Sequence, residues 1–557
     1  MVGRVLKIVY REVKGLHQAA YILGLFAFGS QILGLVRDRL LAHQFGAGTE
    51  LDIYYAAFRV PDVLFVLFAS TLSVYVLVPF VSRALEKEGE RSGGELLSQV
   101  FTVFLVAYSL VALVCFWYTP SLAQFLFPGI ERQGELVSLM RVLLLQPFFL
   151  GMSSLFGVVT QLSSRFVLYA VSPLVYNAGI ILGIVAFYPL FGLSGLAFGV
   201  VVGAIAHLLV QWPFVRASHL RISLATSFDW GRLRSVLALS VPRAFTLSLQ
   251  QIVLLVLFGL ASTMAAGSLS IFQFAFNLQS VPLAVIGVSY SVAAFPQLAA
   301  LIARNNRQEF VEHIRTALRH IIFWSVPAIA LIIILRAQLV RVVLGSGAFD
   351  WSDTRLTAAV LALLSVSLLA QAVNLVVIRA FYAGGDTRTP LLVTLVGAAF
   401  TLVFAFGFHY FYMIHFDLQS FVVSLMRLDG VGGSEVLALA FGYMTATCLQ
   451  AIALLFLLKR EFSIDLGPVR RSFFEASVAA IIGGLCAYVG LNFLVEGVEQ
   501  GKFLGIFIQG LLSGILGIAG AVLTYIYLKN AELHEVRASF QKKILKTDVV
   551  APQEEVL

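Results

Sequence analysis

The chain has 557 residues, of which 59% are hydrophobic and 12% charged, and its mean hydropathy is +0.92. A soluble domain carries roughly twice that charge fraction, so the composition excludes a water-soluble enzyme or binding module. The net charge of +8 is scattered over many short polar segments, which excludes a nucleic-acid-binding patch and fits contact with anionic lipid.

Residues 1–18, MVGRVLKIVYREVKGLHQ, are basic but are followed by no small-residue cleavage site, and are read as a retained cytoplasmic end. Apolar stretches of about 20 residues, each long enough to cross a bilayer, then recur along almost the whole chain. Fourteen are expected, centred near residues 30, 68, 107, 150, 178, 204, 247, 284, 330, 368, 401, 446, 482 and 515. The fold class is therefore an all-α polytopic membrane protein.

An internal repeat divides these spans. AGTELDIYYAAFR (47–59) follows the first span and AGSLSIFQFAFN (266–277) follows the seventh. With one gap, Ile53/Ile271, Tyr54/Phe272, Ala57/Ala275 and Phe58/Phe276 align, and both copies run on to a Val-Pro pair, Val60-Pro61 and Val281-Pro282. The repeat predicts a six-helix half at 19–220 and a second at 221–460, with two appended helices at 461–530 and a cytoplasmic tail at 531–557. Halves with an even number of spans are parallel, and transporters so built place substrate between the halves and rock them for alternating access. EKEGERSGGE (86–95) is expected as a polar inner loop. RNNRQEFVEHIRTALRH (304–320) is expected as an amphipathic helix with its basic residues toward lipid head groups.

Orientation follows from the basic residues. Of 38 Lys and Arg, six fall in the loops that are outer if the N-terminus is inside: Arg132, Arg336, Arg341, Arg355, Arg427 and Lys502. Six more lie in spans, and the rest are on the inner side. Basic loops resist translocation, so both termini are expected in the cytoplasm.

The six within spans are Arg37, Arg39, Arg59, Arg141, Arg243 and Arg379, and Asp38, Asp52 and Asp62 accompany the first three. Intramembrane charges are costly and face protein interiors or wet cavities. Arg59 and Asp62, spaced i,i+3, can pair on one helix face, with Asp52 two turns earlier. Two readings stand: an ion-pair cluster that pins helices together, or a cavity for an anionic head group. Arg39, Arg141 and Arg379 lie near span ends and are expected to snorkel. No metalloprotease, nucleophile-elbow or P-loop motif occurs, and no metal or cofactor is expected. His207, alone in the sixth span, is expected as a packed or hydrogen-bonded residue. Cys115, Cys448 and Cys486 sit in separate spans without disulfide or metal-ligand spacing and read as small buried apolar residues.

The run GLVRDRLLAHQFGAGTELDIYYAAFRVPDVLFVLFASTLSVYVLVPF resembles the opening of the MurJ (MviN) lipid II flippase family, and RAFYAGGDTRTP (379–390) resembles its second signature. The six-plus-six-plus-two layout agrees with that family, whose fold is shared with MATE-type exporters. The resemblance implies a bacterial inner-membrane transporter, not an enzyme. Its substrate would be an undecaprenyl-pyrophosphate-linked peptidoglycan precursor (lipid II), handed on to cell-wall synthesis machinery. It also implies a cationic central cavity lined by spans 1, 2, 7 and 8, and a lipid-tail groove at spans 13 and 14. Carried over residue by residue, the family's R-D arginine falls on Arg37, the acid after F-G-A-G on Asp52, and the basic residue before Val-Pro on Arg59. The remaining arginine positions carry Gln31, Phe65 and Asn277, and a family glutamate falls on Ser70. The cavity set implied is Arg37, Asp52, Arg59, Asp62, Gln31 and Asn277, joined by Arg243, which has no counterpart in the family pattern. Alternatives are a flippase for another polyprenyl-linked saccharide, a MATE-like drug/cation antiporter, or a scaffold without transport.

Overall fold

The structure is a computed structural model, and it describes residues 16–69, 72, 74–218, 220, 222–494 and 503–544. Among them every regular element is helical. In chain order they are α1 (Leu16–Phe45), α2 (Thr49–Ala69), α3 (Val74–Glu88), α4 (Glu90–Leu126), α5 (Gln133–Leu162), α6 (Phe166–Phe191), α7 (Leu193–Ala217), α8 (Trp230–Ser262) and α9 (Ser268–Ala303). They continue with α10 (Arg307–Ile334), α11 (Arg336–Leu344), α12 (Trp351–Ala383), α13 (Arg388–Ile414), α14 (Phe416–Met426), α15 (Ser434–Phe462), α16 (Gly467–Phe493), α17 (Phe503–Tyr527) and α18 (Ala531–Ile544).

Eleven helices among the described residues are long and apolar enough to cross a membrane. The expected spans near 30, 68 and 247 fall in α1, α2 and α8: α1 contains the uncharged apolar run 23–36, α2 is interrupted by Asp52, Arg59 and Asp62, and α8 holds the shorter apolar stretch Leu247–Ser262. The protein is an all-α polytopic membrane protein. The polar segment 86–95 is helical except at Gly89 (φ +81°), where α3 gives way to α4. The reason is burial: Ser92, Gly93 and Gly94 pack inward.

By its internal contacts the chain forms two compact units, residues 1–275, 343–360 and 398–442 in one, and 276–342, 361–397 and 443–557 in the other. In the first unit α6 and α7 meet along a glycine seam. A Cβ at Gly179 would lie 2.2 Å from the Gly203 Cα, and one at Gly199 would lie 2.3 Å from the Gly183 Cα. That backbone approach is the small-residue packing that membrane helices use in place of a hydrophobic driving force. Beside the seam, Ser153 of α5 lies 2.7 Å from His207 Nδ1 and accepts from Gln211 Nε2 at 2.7 Å. His207 is thus a hydrogen-bonded residue.

In the second unit α16 and α17 pack on each other through Gly483, Gly517 and Gly520, and α16 also packs on α10. The buried face of α10 presents Phe310, Ile314, Leu318 and Ile321 to the core. Its basic residues find protein partners: Arg307 donates to the Glu461 carbonyl, Arg315 to the Asp465 carbonyl, and Arg319 pairs with Glu532 of α18 at 2.7 Å. The amphipathic segment expected on lipid head groups is therefore held to the protein, because the end of α15, the loop after it and α18 supply the acceptors. The three cysteines are unpaired and partly buried.

Candidate functional site

The site is built where α1 ends and α2 begins. Gly46 (φ +61°) takes the left-handed turn that stops α1, and α2 restarts at Thr49 with Glu50 and Asp52 in its first turn. The same turn is entered from the other repeat at Gly267 (φ +92°), where a Cβ would meet the Ala47 carbonyl oxygen at 2.3 Å. Only glycine fits a left-handed backbone pressed this closely on another chain segment.

Asp52 is 5% exposed and reaches the start of α9. It accepts from Gly267 N at 2.6 Å, Ser270 N at 2.8 Å and Ser270 Oγ at 2.6 Å. A carboxylate at a helix N-terminus satisfies orphan amides and meets the positive end of the helix dipole; here α2 of the first repeat caps α9 of the second. Around it the end of the unit is tied by backbone and loop contacts. Ala348 N donates to the His43 carbonyl at 2.9 Å, Ala47 N to Asp353 at 3.1 Å, and Ala265 N to Glu435 at 2.9 Å. Arg39 spends a guanidinium N–H on the Val343 carbonyl at 3.2 Å. Arg132 bridges Glu50 and Glu135. All these segments lie on one side of the bilayer by the count of spans.

Deeper along the same helices lie two arginines. Arg37, whose side chain is 25% exposed, donates from Nε and Nη2 to the Asp38 carboxylate at 3.0 and 2.8 Å, and from Nη1 to Asn177 Oδ1 of α6 at 3.4 Å. Asn177 is itself oriented, donating to Ser30 Oγ and the Pro173 carbonyl. Arg59 is 7% exposed. Its Nη2 donates to Gln273 Oε1 at 2.7 Å, its guanidinium lies 3.9 Å over the Phe258 ring, and Asp62 stands off at 4.0 Å. The i,i+3 pairing is at the outer limit of an ion pair; stacking and an amide acceptor carry Arg59 instead.

Of the residues singled out in the sequence, Arg37, Asp38, Asp52, Arg59 and Asp62 fall in one unit on neighbouring turns of α1 and α2. Gln31 lies exposed on α1, outside these contacts. Asn277 belongs to the second unit, where its carbonyl accepts from Ser280. Arg243 sits in α8, but its side chain lies outside the described residues, as does Ser70. Arg141 stacks 4.7 Å over Phe116, at a distance in sequence from the cluster. Three members had no signal in their own local sequence: Asn177, Gln273 and Phe258 are ordinary span residues until the fold brings them to the arginines.

Residues 41–508 match the family model described as lipid II flippase MurJ. A probable lipid II flippase MurJ of Rhizobium tropici is 27% identical over 381 residues, 67% of this chain and 71% of the relative. The lipid II flippase MurJ of Burkholderia cenocepacia is 24% identical over 488 residues, 84% of this chain and 89% of the relative. Among solved structures, a lipid II flippase MurJ in an inward closed conformation superposes with a TM-score of 0.72 at 22% identity, covering 92% of this chain and all of that one. An inward-facing multidrug resistance MATE transporter of the MOP superfamily superposes with a TM-score of 0.62 at 16% identity, over 79% and 96% of the two chains.

Proposed function

This chain belongs to the lipid II flippase MurJ family, and from that premise we propose that it carries lipid II across the cytoplasmic membrane by alternating access. The observation that supports this reading is the pair of intramembrane arginines, half-buried Arg37 and buried Arg59, next to an end of the molecule where the two repeats are tied together. Charges this costly to place in a span are retained for a ligand or a switch, and here both uses are on one helix pair.

Both termini are cytoplasmic in this reading, so the tied end faces outward and the head group enters from inside. Arg37, Arg59, Asp52 and Asp62 line the path, and spans 13 and 14 (α16 and α17) guide the lipid tail. The pyrophosphate competes with Asp38 for the Arg37 guanidinium, whose planar fork matches phosphate oxygens. Outward opening then requires the bonds of Asp52 with Gly267 and Ser270 to break. Binding promotes that opening only by the difference in its affinity for the two states. The protein is a transporter in this account, with no chemical step, and its product is delivered to the enzymes that build the wall.

The test is replacement of the resident lipid II flippase in a depleted bacterium. Restored growth is expected. Failure of a well-expressed, correctly inserted protein overturns lipid II as substrate. Asp38 and Asp62 each counter one arginine, so the local charge is not strongly positive. That favours a second reading, another polyprenyl-linked saccharide, to be tried in the same depleted-cell format.

A further inference from the structure

α2 carries a hydroxyl left idle among the described residues. Tyr55 is 6% exposed, and its Oη is buried without a hydrogen-bond partner among the described residues. An unmade bond of this kind costs about 1–3 kcal/mol, and phenylalanine would fill the same space without that cost. The ring is fixed in place, edge-on to Phe274 at 5.9 Å and 5.5 Å from Tyr54, and the Tyr55 carbonyl accepts from Arg59 Nε at 3.3 Å. Tyr55 lies within electrostatic reach of Arg37, Asp38 and Arg59. Tyr54 is likewise close to Arg37 and Asp62, and Tyr176 of α6 to Arg37, Tyr54 and Asp62. Three phenols therefore lie within electrostatic range of the charged section of α1 and α2.

The charges there come in opposed pairs. Arg37 gives two N–H groups to Asp38, and Asp62 stands 4.0 Å from Arg59. A dianion approaching either cation meets a carboxylate beside it and is repelled by both. A neutral O–H donor has no counterion to displace, and a hydrogen bond to a charged oxygen is about twice as strong as a neutral one.

We propose that the Tyr55 hydroxyl is a substrate-binding donor, which hydrogen-bonds a pyrophosphate oxygen of a polyprenyl-linked ligand held beside Arg37, with Tyr54 and Tyr176 completing a phenol-rich anion site. The proposal rests on the flippase reading and names how that substrate's anion is held. An idle, buried hydroxyl then has a use: it is satisfied only when ligand is bound.

The test uses the full chain in nanodiscs, titrated with undecaprenyl pyrophosphate and, separately, with inorganic pyrophosphate, for the wild type, Tyr55→Phe and Arg37→Ala. Tyr55→Phe is expected to weaken undecaprenyl pyrophosphate about tenfold, while the ligand-free protein melts at the same temperature or higher. Inorganic pyrophosphate is expected to bind the wild type more weakly than the lipid. Unchanged affinity in Tyr55→Phe beside lost affinity in Arg37→Ala overturns the role of Tyr55 and leaves the arginine site standing. Unchanged affinity in both variants overturns the flippase site itself. Inorganic pyrophosphate binding as tightly as the lipid overturns a lipid source for the anion. A lowered melting temperature of ligand-free Tyr55→Phe overturns the proposal in favour of a packing role for the hydroxyl.

Discussion

Two stretches of the α1–α2 helix pair treat their polar groups in opposite ways. At the start of α2, Asp52 accepts three hydrogen bonds, and the neighbouring loops pair His43 with Ala348, Ala47 with Asp353 and Ala265 with Glu435. One turn further along, the Tyr55 hydroxyl has no hydrogen-bond partner among the described residues, and on α1 Arg37 has N–H groups beyond those given to Asp38 and Asn177. Saturated groups lock; groups with unused capacity bind. Polar networks in a membrane interior are costly when half-made, so the contrast marks where a ligand is to complete the bonding and where the protein completes its own.

The sharpest way to break this comparison is Arg37→Ala. It is expected to abolish transport, scored as loss of complementation, at normal membrane abundance. Lost abundance instead makes Arg37 a structural ion pair, and normal transport removes it from the site. Arg37→Lys sharpens the same point: it keeps the charge but loses the fork, and impaired complementation is expected.

A smaller effect is expected at the locked end. Asp52→Asn loses the carboxylate charge at the α9 N-terminus, and a charge–dipole contact in a partly buried site is worth up to about 2 kcal/mol. The tied state should be less populated, so a cysteine placed at Ser270 should react faster with a membrane-impermeant thiol reagent added outside than in the Asp52 parent. Equal rates contradict a lock.

The smallest effect belongs to a saturated group away from the transport path. Glu532 of α18 is buried; desolvation pushes its carboxyl up, but hydrogen bonds, including that from Arg319, prevail and hold it below the ordinary carboxylate range. A depressed value stabilises the folded form above the unfolded pKa, about 4.3, and that contribution is lost as pH falls through the folded value. The exchange protection of α18, corrected for the intrinsic amide rate, should therefore fall as pH is lowered below about 4.3 in the wild type, and Glu532→Gln should lower it already at neutral pH without changing transport. Insensitivity to both removes Glu532 from the docking of α18.

The sequence carried the helices well, because hydropathy over about 20 residues is a local quantity. The aligned pairs of the expected repeat, Ile53/Ile271, Tyr54/Phe272 and Ala57/Ala275, are all buried. What the sequence lacked was partners. Asp52 read as a cavity acid, while its partners are two backbone amides and the Ser270 hydroxyl, 215 and 218 residues away, which no local pattern encodes. Arg59 read as the partner of Asp62, a local i,i+3 rule that Gln273 and Phe258 outweigh across the fold. Tyr55 passed as one more aromatic in an apolar run, since an idle hydroxyl is visible only once every neighbour is placed.

The central claim is that the two repeats separate at the tied end during each cycle. His43 and Ala348 are exposed there and share a backbone hydrogen bond of 2.9 Å, so His43→Cys with Ala348→Cys can be bridged by a short, cleavable dithiol crosslinker. Translocation of fluorescent lipid II is then followed in proteoliposomes before bridging, after bridging and after cleavage. The account predicts that bridging stops translocation and cleavage restores it; a bridged protein that translocates at the unbridged rate contradicts it.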